Sequence, residues 1–208
     1  TGESYEFMFA HYFDEKQYPL AQKYIDSAQT MYAKVENVQG IQFLDKYRAE
    51  IYLKQDKPDL AIPIYDALLQ LDKKDSIAYI LAEGYTFLSK AYTKKNNFTL
   101  ATKYLDSARV QASISENLSH QISIASQQAK IYKQKKQLGL GILELQTILK
   151  NNEISLFQES KKDLYKELSE LYTLNKDPKN AFLSLQQHYR IKDSLRAILQ
   201  KNKFNVIQ

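Results

Sequence analysis

The alternation of apolar and polar positions repeats along the chain. Tyrosines stand at Tyr12, Tyr52, Tyr92, Tyr132 and Tyr172, each forty residues after the last. Ala21, Ala61, Ala101, Gly141 and Ala181 keep the same step. Three residues before the tyrosine comes a small side chain in four units: Ala49, Ser89, Ala129 and Ser169. The first unit departs with Phe9. Four residues after the Ala/Gly column comes a large apolar residue: Ile25, Tyr65, Leu105, Leu145 or Leu185. Within the units the spacing is helical. Leu81, Tyr85, Leu88, Ser89 and Tyr92 follow i, i+3, i+4 and i+7, and Leu100, Ala101, Tyr104, Leu105 and Ala108 do so again. Polar turns such as Lys94-Lys95-Asn96-Asn97 and Asn175-Lys176-Asp177 lie between the two columns. Pro58 and Pro178 suit the first turn of a helix, where a missing N–H costs nothing, and Asp177 suits an N-cap.

These signals predict helices over 4–15, 18–35, 39–55, 59–71, 75–95, 98–115, 119–135, 138–150, 156–174 and 178–205, paired as five helical hairpins. The small columns have a physical reason: two helices cross closely only where the residue at the crossing is small. One hairpin cannot bury its apolar face alone, whereas stacked hairpins bury a continuous core. The last helix has neither Gly nor Pro after Pro178. Leu183, Leu185, Tyr189, Ile191, Leu195, Ile198 and Leu199 keep a helical spacing, and Phe204, Val206 and Ile207 come after them. A continuous helix from Pro178 to beyond Lys201 is expected, its apolar side covered by its own repeats or by a second copy of the chain.

The pattern of small-x-x-Tyr in a first helix and Ala-x-x-x-large in a second resembles the tetratricopeptide repeat (TPR). The resemblance covers essentially the whole chain. It implies an all-α fold: one domain, 1–208, forming a right-handed superhelix, an α-solenoid of five helix-turn-helix repeats with a long C-terminal helix. The repeats are expected at about 1–37, 38–74, 75–116, 117–154 and 155–195, with an extension over 196–208. Two features depart from the family pattern. The period is forty rather than thirty-four, which implies longer helices, and the proline that usually closes a unit is missing, with Lys73, Ser113, Glu153 and Asp193 near its place. The last unit runs Leu164-Tyr165-Lys166-Glu167-Leu168-Ser169-Glu170-Leu171-Tyr172, then Ala181, then Ile191-Lys192-Asp193-Ser194-Leu195. It resembles the end of the sensor repeats in membrane-anchored regulators and histidine kinases of Bacteroidetes, where a membrane helix and an output domain come next.

Composition narrows the chemistry. Of 208 residues, 5 are Gly and 4 Pro, fewer breakers than a sandwich or barrel needs. No run approaches the roughly 20 apolar residues of a membrane-spanning helix. Cysteine is absent, which excludes disulfides, thiolate metal sites and a cysteine nucleophile. Its absence suits a cytosolic chain and a periplasmic one equally. His11, His120 and His188 fall in different units at different positions, without metal-ligand spacing. Gly139-Leu140-Gly141 lacks the Lys-Ser/Thr of a phosphate loop, and Asp14-Glu15 reads as a solvated turn. No enzymatic activity, cofactor or metal is expected. Asn97-Phe98-Thr99 and Asn117-Leu118-Ser119 match the short glycosylation sequon. The net charge of +5 comes from scattered lysines without interleaved aromatics, so nucleic acid is not expected as a partner.

The resemblance also implies a ligand surface. In the repeat family the concave face is lined by first-helix residues two and six before the tyrosine and one and two after it. Here that face carries Phe13; Lys46, Glu50, Leu53 and Lys54; Thr86, Lys90, Thr93 and Lys94; Ser126, Lys130, Lys133 and Gln134; and Lys166, Glu170 and Thr173. Its middle units offer Lys90, Lys94, Lys130 and Lys133 with few acids, and a groove of one sign concentrates the opposite sign. A protein or peptide with acidic groups is the expected ligand. The chaperone-type carboxylate clamp is not expected, because its asparagine positions hold Ala10, Glu50, Lys90, Lys130 and Glu170. The expected role is protein binding as the sensory or interaction region of a bacterial signalling or transcription-regulatory protein, with homodimerisation through the last helix and linkage to a membrane helix. That places it on the periplasmic side of an inner membrane, and otherwise in the cytoplasm. The alternative is a free-standing scaffold or assembly protein with the same repeats and no output domain.

Overall fold

The computed structural model describes residues 2–75, 77–152 and 157–206, with side chains described up to residue 200 except those of 74 and 75. Among the described residues every regular element is an α-helix. In chain order they are α1 (Gly2–Asp14), α2 (Tyr18–Lys34), α3 (Val38–Lys54), α4 (Pro58–Asp75), α5 (Ala78–Lys94), α6 (Phe98–Ser115), α7 (Leu118–Gln134), α8 (Leu138–Asn151), α9 (Gln158–Leu174) and α10 (Pro178–Val206). The fold is all-α, as the spacing predicts. The largest boundary differences are at α4, which runs four residues further, and α5, which starts three later. Ile77, in an extended conformation, precedes α5. The expected start of the ninth helix at 156 lies outside the described residues, as does Ile207.

The chain divides into two compact units, Thr1–Tyr104 and Leu105–Gln208. In the first, each of α1 to α4 packs on the next in sequence. In the second, α7, α8, α9 and α10 do the same, and α7 also touches α9.

The turns explain the constancy of the period. After the repeat tyrosine the helix ends on a residue with positive φ: Lys16, Asp56, Asn96, Lys136 and Lys176, again forty apart. The next amide donates back to the tyrosine carbonyl, as from Gln17 to Tyr12 (2.8 Å), Lys57 to Tyr52 (2.8 Å), Asn97 to Tyr92 (3.0 Å), Gln137 to Tyr132 (2.8 Å) and Asp177 to Tyr172 (2.9 Å). This six-to-one bond, with the shorter bond inside it, closes the helix in a Schellman motif. Glycine is the usual residue at the left-handed place, and none stands there. The following helix is capped where the sequence allows it. Asn37, Asn97, Asn117 and Asp177 each accept from the amide three residues on. The sequon asparagines Asn97 and Asn117 are thus helix caps.

The small column lies at the helix crossings. Ala21, Ala61 and Ala101 are fully buried and Ala181 nearly so. A Cβ on Gly141 would stand 3.3 Å from the carbonyl oxygen of Ala129, 3.3 Å from Leu171 Cδ1 and 3.5 Å from Tyr132 Cβ. The small residue of α8 therefore faces the small residue and tyrosine of α7, and the next first helix, α9, covers both. The repeat tyrosines themselves are half-buried, not core. Tyr12 stacks on Tyr24 (5.3 Å, 7°) and Tyr92 on Tyr104 (5.4 Å, 9°), while the hydroxyls of Tyr52 and Tyr172 accept from Gln22 and Gln146.

The C-terminal helix is continuous, as expected. Its own repeats cover its apolar side only in part: Ile191 and Leu195 are half-buried, whereas Leu183, Leu185, Tyr189, Ile198 and Leu199 are exposed. Helix α10 rests on α9 through Ala181 and Ser184, and His188 Nδ1 lies 2.9 Å from the carbonyl oxygen of Lys162. Since α9 begins at Gln158, it has no further turns to cover Ile198 and Leu199.

Candidate functional site

The first helix of each hairpin positions the candidate lysines, because its buried stripe turns the opposite residues outward. In α3 and α5 this brings Lys46 and Lys90 to one aromatic ring. Their ammonium groups lie 5.7 and 5.1 Å from the centroid of Phe87, within cation–π range. Phe87 in turn stacks on buried Tyr65 (5.0 Å, 10°). Lys46 Nζ also meets Glu83 at 3.2 Å. Burial holds the Tyr65 phenol well above the ordinary tyrosine range, with the charges of Glu50 and Glu83 adding to it. Its hydroxyl is buried without a hydrogen-bond partner.

The remaining candidates are arranged differently. Lys94 pairs with Asp56 at 3.0 Å, and Lys54 with Glu50 on its own helix at 3.8 Å. In the second unit Lys130 pairs with Glu167 (3.2 Å) and Lys133 with Glu170 (3.0 Å), bridging α7 to α9 beside Leu171. Lys166 is exposed on α9. The lysines are therefore not a field of one sign, which changes the electrostatics expected from their count alone. Three pairs, 46–83, 130–167 and 133–170, share an offset of 37, one repeat less three residues. That offset joins a first helix to the next one. The sequence reading missed Glu83, Glu167 and Asp56 because it counted charges within units. Searching for opposite charges near one period would have found them.

These pairs are half-exposed, so each contributes about 0–1 kcal/mol to stability and remains open to exchange with another anion. His11 is exposed, His120 sits at the start of α7 and His188 on α10. Among the described residues there is no group of three or more His, Cys, Asp or Glu placed to hold a metal ion. No described helix is long and apolar enough to cross a membrane.

Comparison with solved structures decides the fold. BtubC (BKLC) from P. vanneervenii matches with a TM-score of 0.67 at 13% identity, over 93% of this chain and 80% of that one. A protein of Podosopora anserina described as a putative kinesin light chain with nearly identical TPR-like repeats matches with a TM-score of 0.62 at 16% identity, over 93% and 95%. Its Q17M variant gives 0.64 at 16% identity, over 94% and 96%. The fold is TPR-like. No family model and no curated protein matches the sequence.

Proposed function

We propose that the chain is a non-catalytic protein- or peptide-binding module whose ligand lies along the first helices of the hairpins. The observation that carries this reading is the set of cross-repeat ion pairs: Lys46, Lys130 and Lys133 are held at the surface by acids of the next first helix. An acidic side chain of a partner exchanges with Glu83, Glu167 or Glu170 at little net cost, so binding is moderate in strength and weakened by salt. The test is fluorescence anisotropy with two labelled peptide pools, one acidic and one basic. The acidic pool is expected to bind and to lose affinity in the Lys130→Glu/Lys133→Glu variant with helical content retained. Equal binding of the basic pool, or no effect of the double variant, contradicts the reading.

We place the module in a bacterial signalling or transcription-regulatory protein as its sensory or interaction region. The resemblance of the last unit to regulator sensor repeats supports this, and so does the length of α10. Its 29 residues span about 43 Å at 1.5 Å each, well beyond what a repeat helix needs. Its uncovered apolar side suits self-association, and continuation toward a membrane helix would make it the transmitting element. Sedimentation equilibrium tests the first point: a dimer that dissociates in the Leu185→Glu/Tyr189→Glu variant supports it, and a monomer at high concentration counts against it.

A further inference from the structure

Helix α10 lacks a neighbour that other second helices have. In the column of Leu185, Ile25, Tyr65 and Leu145 are at most 1% exposed, whereas Leu185 is 38% exposed. The next first helix covers each of those three. Leu44 and Ile51 of α3 share a core with Ile25, and Leu88 and Ala91 of α5 share one with Tyr65. Leu164, Leu168 and Leu171 of α9, at i, i+4 and i+7, share one with Leu145. The same register fixes what lies beyond the apolar residues. Tyr32 of α2 and Asp72 of α4 are the repeat counterparts of Lys192. A Cβ on Gly40, in the first turn of α3, would stand 2.7 Å from Tyr32 Cδ2, and one on Gly84, in the second turn of α5, 3.7 Å from Asp72 Oδ2. Position 192 therefore lies beside the first two turns of a helix seated in this register on α10.

The charge of this surface is one-sided. Between Pro178 and Val206 stand six Lys or Arg and one Asp, so α10 carries a net charge of +5, as much as the whole chain. The Lys192 ammonium ends the apolar stripe, 5.6 Å from the ring centroid of Tyr189. Lys166, exposed on α9, stands where Lys46 stands three repeats earlier. Lys46 reaches Glu83 of the next first helix, one residue before Gly84. Among the described residues no first helix follows α9 to bring Lys166 such an acid.

We propose that the exposed face of α10 binds an amphipathic helix of a partner polypeptide, seated as a sixth first helix. Its apolar residues at i, i+4 and i+7 cover Phe182, Leu185 and Tyr189, as Leu164, Leu168 and Leu171 cover α8. Acids at i−4 and i−1, in its first two turns, meet Lys192 and Lys166, and there they also suit the positive end of the helix dipole. The first hairpin of a second copy does not supply this helix, because α1 has Ser4 at i and His11 at i+7. This inference goes beyond the acidic ligand of the first helices. The dimer proposed above uses the same stripe, so partner helix and second copy exclude one another.

The experiment is fluorescence anisotropy and sedimentation velocity of the full chain with a labelled 17-residue helical peptide, the length of α9. The peptide carries Leu at i, i+4 and i+7 and Glu at i−4 and i−1, with Ala and Gln elsewhere. Saturable binding is expected, giving a complex of one chain and one peptide. Leu185→Ser/Tyr189→Ser should weaken it at least about tenfold. Lys166→Glu/Lys192→Glu should weaken it by about as much, and that variant should prefer a peptide with Lys in place of both Glu. All four residues are exposed, so both variants keep the fold. Lys130→Glu/Lys133→Glu should bind the peptide as the unaltered chain does, which separates this site from the first-helix ligand. Binding to a chain that is monomeric beforehand supports the inference and ends only the dimer reading. No saturable binding, undiminished binding in Leu185→Ser/Tyr189→Ser, no reversal of preference in the charge-reversed variant, or a dimer that the peptide leaves intact overturns it.

Discussion

The fourth and fifth hairpins place the same residue type in the same register and give it opposite surroundings. Leu145 of α8 is fully buried, whereas Leu185 of α10, forty residues on, is 38% exposed. The difference lies in the presence or absence of a next helix. Helix α9 crosses α8 and covers it, as the contact of Leu171 with the Gly141 position shows, and no described helix does this for α10. The first hairpin meets its own open side in another way. On α1 the positions that are Leu44 and Ile51, Ile124 and Ile131, and Leu164 and Leu171 in other first helices are the exposed Ser4 and His11. Helix α1 is thus polar at these two positions, although Phe7 is exposed elsewhere on it, while α10 keeps Phe182, Leu185 and Tyr189 at the surface. An exposed apolar stripe of this kind is a surface on which a further helix or a partner can pack.

The largest expected effect separates the two leucines. Leu145→Ala should cost about 2–5 kcal/mol in urea unfolding, from lost burial and the cavity left behind. Leu185→Ala should cost less than about 1 kcal/mol in a dilute monomer, since its side chain is already in part hydrated. Equal losses would mean that α10 is covered in solution.

Much of this was legible from residue spacing alone. Ten helices, their pairing and the crossing column follow from the step of forty, because a close crossing tolerates only Ala or Gly there. The left-handed turn residues were not legible, because Lys16, Asp56, Asn96, Lys136 and Lys176 stand where glycine would have announced the turn. The acid partners of the lysines were hidden for a related reason: they belong to a neighbouring repeat. Residues outside the two main columns carried the site, and those are read from packing rather than from period.

A second way to sharpen the comparison uses Tyr65, which shares the column of Leu145 and Leu185. Its buried hydroxyl has no partner, so Tyr65→Phe should stabilise the fold by about 1 kcal/mol by removing an uncompensated desolvation. A loss of that size in thermal unfolding would mean that the hydroxyl is satisfied in solution. The smallest expected effect is at the turns. Lys136→Gly and Lys176→Gly relieve the strain of positive φ in the fourth and fifth hairpins and should each stabilise by about 0.5–1 kcal/mol. Equal gains are expected, because the turn geometry, unlike the leucine column, is the same in both.

The repeat frame itself is tested most directly by denaturant midpoints for a single leucine placed in turn at Ala21, Ala61, Ala101, Gly141 and Ala181. The four inner crossings should each lose about 1–3 kcal/mol through overpacking, and more at Gly141, where even a Cβ is tight. Ala181, beside the open face of α10, should lose clearly less. Losses scattered without regard to this order, or a full loss at Ala181 and none at Gly141, would contradict a forty-residue repeat in which each crossing is closed by the next hairpin.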